Sequence, residues 1–185
     1  VKTAVVVLAD GFEEIEAVTP IDLLRRAGVR VVVAGLSGRS VVGARGVAFG
    51  CDTTLDQVEP GWDALVLPGG MPGAKNLAQS PLVKQCIERT LAGGQWLAAI
   101  CAAPAVVLGA QGYLKGKKFT GYPGTETTVT DAFFQEAPVV VDGRLITSRG
   151  VGTAGAFALK LVEVLAGSDK AAETARAVLL PVNAD

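Results

Sequence analysis

Cys101 is the residue in this chain best placed to do chemistry. Gln95-Trp96-Leu97-Ala98-Ala99-Ile100 reads as a buried strand and runs directly into it. Ala102-Ala103-Pro104 and further apolar residues follow and read as a helix. A side chain at a sharp strand-to-helix turn is forced out of the sheet, as in a nucleophile elbow. Small neighbours allow the turn, and Pro104 fits a first helical turn because its missing N–H costs little there. The positive end of a helix dipole beside the sulfur predicts a stabilised thiolate. The chain has no histidine, so no imidazole activates Cys101, here or in an identical partner.

Cysteine is also a common small core residue. Cys86 lies in a helically periodic stretch, Leu82 to Glu88, and reads as packing. Cys51 follows Gly50 near a loop and reads as an exposed bystander. The three show no CxxC spacing, and without histidine a metal site has almost nothing to be built from. No metal and no cofactor are expected.

The elements that must position Cys101 are legible from apolar runs and turn residues. Thr3 to Ala9 reads as a first strand, and Glu13 to Ala27 as a helix closed by Gly28. Val29 to Ala34 is a second strand, and Val41 to Phe49 a short hairpin. Ala64 to Leu67 is a core strand ending in Pro68-Gly69-Gly70. Ser80-Pro81 opens a helix to about Leu91, stopped by Gly93-Gly94. Pro138 to Val141 and Arg144 to Thr147 flank Asp142-Gly143, a hairpin signal. Thr153 to Leu165 is a long helix, and Ser168-Asp169 caps a terminal one. Apolar strands alternating with helices give an α/β class with a mostly parallel sheet covered on both faces. One domain over residues 1–185 is expected, with no linker or repeat.

In such sheets ligands gather at the carboxyl ends of the strands. Three loops converge there: Asp10 to Glu16, Pro68-Gly69-Gly70, and the Cys101 turn. A carboxylate from the first could meet the thiol, and backbone N–H groups from the others could form an oxyanion hole. Glu16 is one of three glutamates in that loop and also reads as an ordinary solvated helix residue. Gly150-Val151-Gly152-Thr153-Ala154-Gly155 fits GxGxxG, but the rest of a dinucleotide unit does not follow it. These glycines read as a tight turn with close packing.

Composition removes other classes. The chain has 185 residues, half of them apolar, and a formal net charge of -1, so no basic face for nucleic acid stands out. The apolar runs are too short to span a bilayer. The N-terminal apolar run meets Asp10, Glu13 and Glu14 and reads as a strand, not a signal peptide. Three unpatterned cysteines predict a reducing, cytoplasmic setting.

Ala9 to Val18, Val66 to Gly70, Ala98 to Pro104 and Thr147 to Gly150 together resemble the ThiJ/PfpI superfamily. Within it they are similar to the branch of the Parkinsonism-associated protein deglycase and its bacterial YajL-like relatives. The resemblance covers essentially the whole chain. It implies a flavodoxin-like three-layer α/β/α sandwich, usually a homodimer. It implies Cys101 as reactive thiol, Glu16 as its carboxylic partner, and oxyanion N–H groups from Gly70 and Ala102. Arg45 matches a family arginine expected to reach toward the partner subunit's site. Two departures stand out. Tyr122 occupies the place of the human branch's histidine, as in YajL-like members, and is expected to shape the pocket. Gly150-Val151-Gly152-Thr153 replaces the usual Gly-Pro-Gly-Thr.

The activity this implies is glutathione-independent glyoxalase chemistry on 2-oxoaldehydes, or deglycation of their early protein or nucleotide adducts. Burial would raise the pKa of Glu16 and let it move protons. The alternative is a redox-responsive stress protein or chaperone, with Cys101 oxidised to sulfinate and little turnover.

Overall fold

Strand β1 (Thr3–Leu8) points Ala4, Val6 and Leu8 to one face and Val5 and Val7 to the other, and all five are buried. A strand apolar on both faces needs a covering layer on each. The computed structural model, which describes residues 1–181, supplies both layers. The further strands are β2 (Arg30–Gly35), β3 (Ser40–Val42), β4 (Ala48–Gly50), β5 (Thr53–Thr54), β6 (Ala64–Leu67) and β7 (Trp96–Ile100). After them come β8 (Lys118–Phe119), β9 (Phe133–Phe134), β10 (Val139–Asp142) and β11 (Leu145–Ser148). The α-helices are α1 (Glu14–Arg26), α2 (Gly73–Gln79), α3 (Pro81–Ala92), α4 (Ala154–Ala166) and α5 (Ser168–Ala177).

The main sheet has the order β10-β11-β7-β6-β1-β2-β5. All its pairs are parallel except β10 with β11. Helices α1 and α4 cover one face through Leu24, Phe157 and Leu161. Helices α2 and α3 cover the other through Leu77, Val83 and Ile87. The chain runs outward from β1 in both directions, to β2 and to β6. The crevice at the carboxyl ends of β1 and β6 is therefore the topological switch point, where open α/β sheets bind ligands.

The long elements fall where the sequence places them, within a residue or two at each end. Three features differ. The helix after Cys101 is a π-helix over Pro104–Gly109, not an α-helix. Helix α2 is absent from the periodicity because it opens on glycine and contains Asn76, both weak helix formers. Tertiary contacts hold it: Ala74 and Leu77 are buried, and Asn76 Nδ2 donates to the Asp10 carbonyl at 2.9 Å. Cys51 is not an exposed bystander. It is buried in the core cluster on the α1 side that also holds Val41, and its N–H donates to the Arg39 carbonyl at 2.7 Å. Cys86 packs in the opposite core layer. Gly155 takes the close approach read for the 150–155 glycines: an added Cβ would lie 3.0 Å from Leu180. Gly152 faces open space instead.

Phe157 is fully buried between α4, α1 and the sheet. Truncating such an aromatic typically costs about 3–5 kcal/mol. Urea denaturation of Phe157→Ala should therefore show a stability loss of about that size. A loss below about 1 kcal/mol would mean that this layer is not the load the fold rests on.

Candidate active site

Strand β7 ends at Ile100, and Cys101 follows with φ 65, a left-handed backbone rarely adopted by residues other than glycine. Such a conformation costs on the order of 1–3 kcal/mol and persists only where the surroundings enforce it. They do so from both sides. The Cys101 N–H donates to the Ser148 carbonyl at 3.0 Å, and its carbonyl accepts from the Tyr122 N–H at 2.8 Å. The thiol is thereby turned out of the sheet into the switch-point crevice.

Glu16 arrives from the first turn of α1. Glu13 caps that helix, its carboxylate accepting the Glu16 N–H at 2.9 Å. The Glu16 side chain is completely buried, and its Oε2 accepts the Gly69 N–H at 3.0 Å. Gly69 is what lets thiol and carboxyl approach. A Cβ on it would lie 2.6 Å from both Cys101 Cβ and Glu16 Oε2. The next residue, Gly70, has φ 86, and a Cβ there would lie 2.6 Å from the Gly11 carbonyl. The backbone N–H groups of Ala102 and Gly70 both act on the sulfur.

Burial dominates the electrostatics of the pair. It pushes the Glu16 carboxyl up to about 7, against the opposing pull of Cys101 and the Gly69 N–H. Burial, and then the negative charge of Glu16, push the Cys101 thiol up to about 12. The Ala102 and Gly70 N–H groups pull the other way and are outweighed. This corrects the thiolate expected from the helix dipole. The helix behind Cys101 is a single short π-helical segment, while the adjacent carboxyl and the loss of water are direct. Glu16 Oε1 has no hydrogen-bond partner of ordinary geometry. A carboxyl that titrates near 7 beside a protonated thiol can take the sulfur's proton or return it at neutral pH.

The pair opens into a cavity of about 760 Å³ whose lining includes Glu13, Arg45, Tyr122 and Arg149. Gly70 and Ala102 also line it. The structure thus brings Cys101, Glu16, Gly70, Ala102, Tyr122 and Arg45 to one place. Tyr122 is about half exposed at the rim. Arg45 sits on the turn between β3 and β4 and lines the cavity of its own chain. Arg149 and Thr153 were not singled out as site residues in the sequence. Thr153 Oγ1 pairs with Ser148 Oγ at 2.7 Å and accepts N–H groups from Arg149 and Gly150 at 3.1 and 3.0 Å. This hydroxyl pins the turn that lacks the usual proline. Arg149 lies at 3.1 Å from Glu136. The signal for both was their place directly after β11, beside β7 in the sheet. Among the described residues no cluster of side chains could hold a metal ion, and no helix is long and apolar enough to cross a membrane.

The raised carboxyl makes stability depend on pH. The folded protein binds the Glu16 proton up to about pH 7, whereas the unfolded chain releases it near 4.5. The associated stability is fully present below pH 4.5 and is lost as pH rises through 7. Thermal melts from pH 5 to 8 should therefore show wild type losing stability relative to Glu16→Gln, by on the order of 1–3 kcal/mol. Parallel pH profiles would mean that Glu16 titrates as an exposed glutamate.

The chain matches known proteins along most of its length. The model of the DJ-1/PfpI family matches residues 2–164. Protein dj-1beta of Drosophila melanogaster is 44% identical over 186 residues, covering 98% of this chain and 99% of that protein. A crystal structure of Drosophila DJ-1beta superimposes with a TM-score of 0.94, covering 97% of this chain and 98% of that one. A Caenorhabditis elegans protein named glutathione-independent glyoxalase DJR-1.2 is 35% identical over 173 residues, covering 91% of each chain. With a family match over most of its length, close full-length relatives and the same flavodoxin-like sandwich, this chain belongs to the DJ-1/PfpI family.

Proposed function

We propose that the protein is a cysteine-dependent, cofactor-free enzyme acting on 2-oxoaldehydes such as methylglyoxal, as a glutathione-independent glyoxalase. Early adducts of these aldehydes with protein or nucleotide would give the same hemithioacetal as the adduct's amine or thiol leaves, as a deglycase. One observation carries the reading: a buried carboxyl poised near 7 against a thiol held at a strained turn. The name of the nematode relative supports it.

The chemistry follows from the geometry. Sulfur adds to the aldehyde carbon as Glu16 takes the thiol proton and passes it to the carbonyl oxygen, giving a hemithioacetal and leaving Glu16 ionised. The Gly70 and Ala102 N–H groups, which already point at the sulfur, stabilise charge on the oxygen formed beside it. Glu16 then removes the proton from the former aldehyde carbon as the keto oxygen takes one up to give an enediol, and it returns its proton to the neighbouring carbon as the first hydroxyl gives up its own and becomes the carbonyl. The product is a thioester of a 2-hydroxy acid, which water cleaves to free acid and thiol. The sum is aldehyde plus water giving hydroxy acid, with no oxidant and no cofactor. Tyr122 shapes the pocket. A cytoplasmic setting fits three thiols with no disulfide among the described residues.

A second reading has its own observation. The two N–H groups and the Glu16 acid around the sulfur would also hold a sulfinate, and the other two thiols are buried elsewhere. Cys101 would then sense peroxide in a stress protein or chaperone, with little turnover. Methylglyoxal consumption without glutathione separates the two. Cys101→Ser should abolish it, and Glu16→Gln should lose about 10²-fold or more, the size of general acid–base help. Tyr122→Phe should change it little. A wild type without turnover would favour the sensor, and Tyr122→Phe as damaging as Glu16→Gln would move the acid–base role to the phenol.

The working form we propose is a C2 homodimer. Ile15 and Val18 on α1 and Val47 on the β3–β4 turn are exposed apolar residues. Glu14 ties these two elements together through the Arg45 and Val47 N–H groups. This surface suits a self-complementary interface that would place Arg45, which lines its own chain's cavity, beside the partner's site as well. Light scattering at micromolar concentration should give twice the chain mass, and a monomer would remove Arg45 from any cross-subunit role.

A further inference from the structure

Arg45 is the uncommitted cation at the cavity. Arg149 is already engaged by Glu136, whereas among the described residues Arg45 makes no ion pair. An arginine on an exposed turn has much rotamer entropy to lose before it can act at one place. Here the turn itself is immobilised, by a carboxylate that the chemistry leaves unused. Glu14 Oε1 accepts the Arg45 N–H at 2.7 Å and the Val47 N–H at 3.4 Å. The side chain can enter the turn only because residue 43 is glycine: a Cβ there would lie 2.7 Å from Glu14 Cγ and closer still to its carboxylate. The turn is closed by Gly43 N–H to Val47 O at 2.9 Å and Gly46 N–H to Gly43 O at 3.0 Å. It is anchored to the loop before α1 by Ala44 N–H to Phe12 O at 2.7 Å. Glu14 Oε2 is buried in the same place. Carboxylate-to-amide bonds of this kind are charge-assisted and stronger than neutral ones.

We propose that Glu14 is the positioning residue for Arg45: seated against Gly43, its carboxylate fixes the turn that holds the guanidinium at the mouth of the Cys101 cavity, where it favours anionic over neutral reactants. The inference rests on Cys101 as the reacting group. It extends the proposed substrates toward 2-oxoaldehydes that carry a negative group.

Two alkylating probes test it without any turnover. Iodoacetate and iodoacetamide need the same thiolate but differ by one negative charge, so the ratio of their rates at Cys101, read by mass spectrometry, reports the charge at the mouth. Arg45→Ala should lower that ratio roughly two- to fivefold, the size of one partly screened charge. Glu14→Ala should lower it equally, and the double variant no further, because both act through one guanidinium. The sign discriminates: if Glu14 mattered only as a charge, removing it would raise the ratio. Gly43→Ala, which displaces the carboxylate and keeps its charge, should also lower the ratio. Glu14→Gln, which still accepts the amide bonds, should hold it at or above wild type. A raised or unchanged ratio in either Glu14→Ala or Gly43→Ala, or additive losses in the double variant, would overturn the inference. Failure to consume methylglyoxal would remove the proposed enzyme and leave this result standing.

Discussion

The site depends on one contact, the buried carboxyl of Glu16 against the thiol of Cys101. Neither group could remain there as an isolated charge, because burial in low dielectric penalises both anions. They coexist because one of them keeps a proton, and the carboxyl pushed up to about 7 is the one that exchanges it near neutrality. The surrounding structure serves this contact. Gly69 leaves the space between them, Gly70 and Ala102 aim N–H groups at the sulfur, and Glu13 fixes the helix turn that carries Glu16. The strain at Cys101 is held by Ser148 and Tyr122, on separate segments that meet only in the folded sheet.

The fold makes such a site inexpensive to build. A parallel sheet with both faces covered leaves only the strand ends for loops, and β1, β6 and β7 are adjacent in it. Their three following loops therefore converge without any long excursion. The outer ring of the site comes from farther away, from the β3–β4 turn with Arg45 and the segment after β11 with Arg149. Charge at the rim can thus vary without touching the Cys101–Glu16 pair.

The candidate site residues were legible to different degrees. Cys101 stood out because an apolar strand, a cysteine and Ala-Ala-Pro form a local pattern that sterics alone explains. Glu16 could not be separated from Glu13 and Glu14 by residue type. Its signal was helical phase, since it shares a face with the buried Ala17, Pro20 and Leu24. The long strands and helices were legible from apolar period, whereas α2 and the two-residue strands are held by tertiary contacts that no local pattern carries. The dipole of a following helix is visible in sequence, whereas the burial and the neighbouring carboxylate that push the thiol's pKa up are not. Arg149, Thr153 and the Glu14 clamp were missed for the same reason: their partners lie across the fold.

The most direct measurement is the titration of the Glu16 carboxyl itself, followed by its ¹³Cδ chemical shift or by its C=O stretch in infrared difference spectra against Glu16→Gln. A midpoint near 7 is expected in the reduced protein. Replacing Cys101 by Ser, which exchanges the thiol for a hydroxyl, should move that midpoint, because the two groups perturb each other directly. A midpoint near 4.5, unchanged by Cys101→Ser, would show a solvated glutamate with no hold on the thiol and would contradict the account.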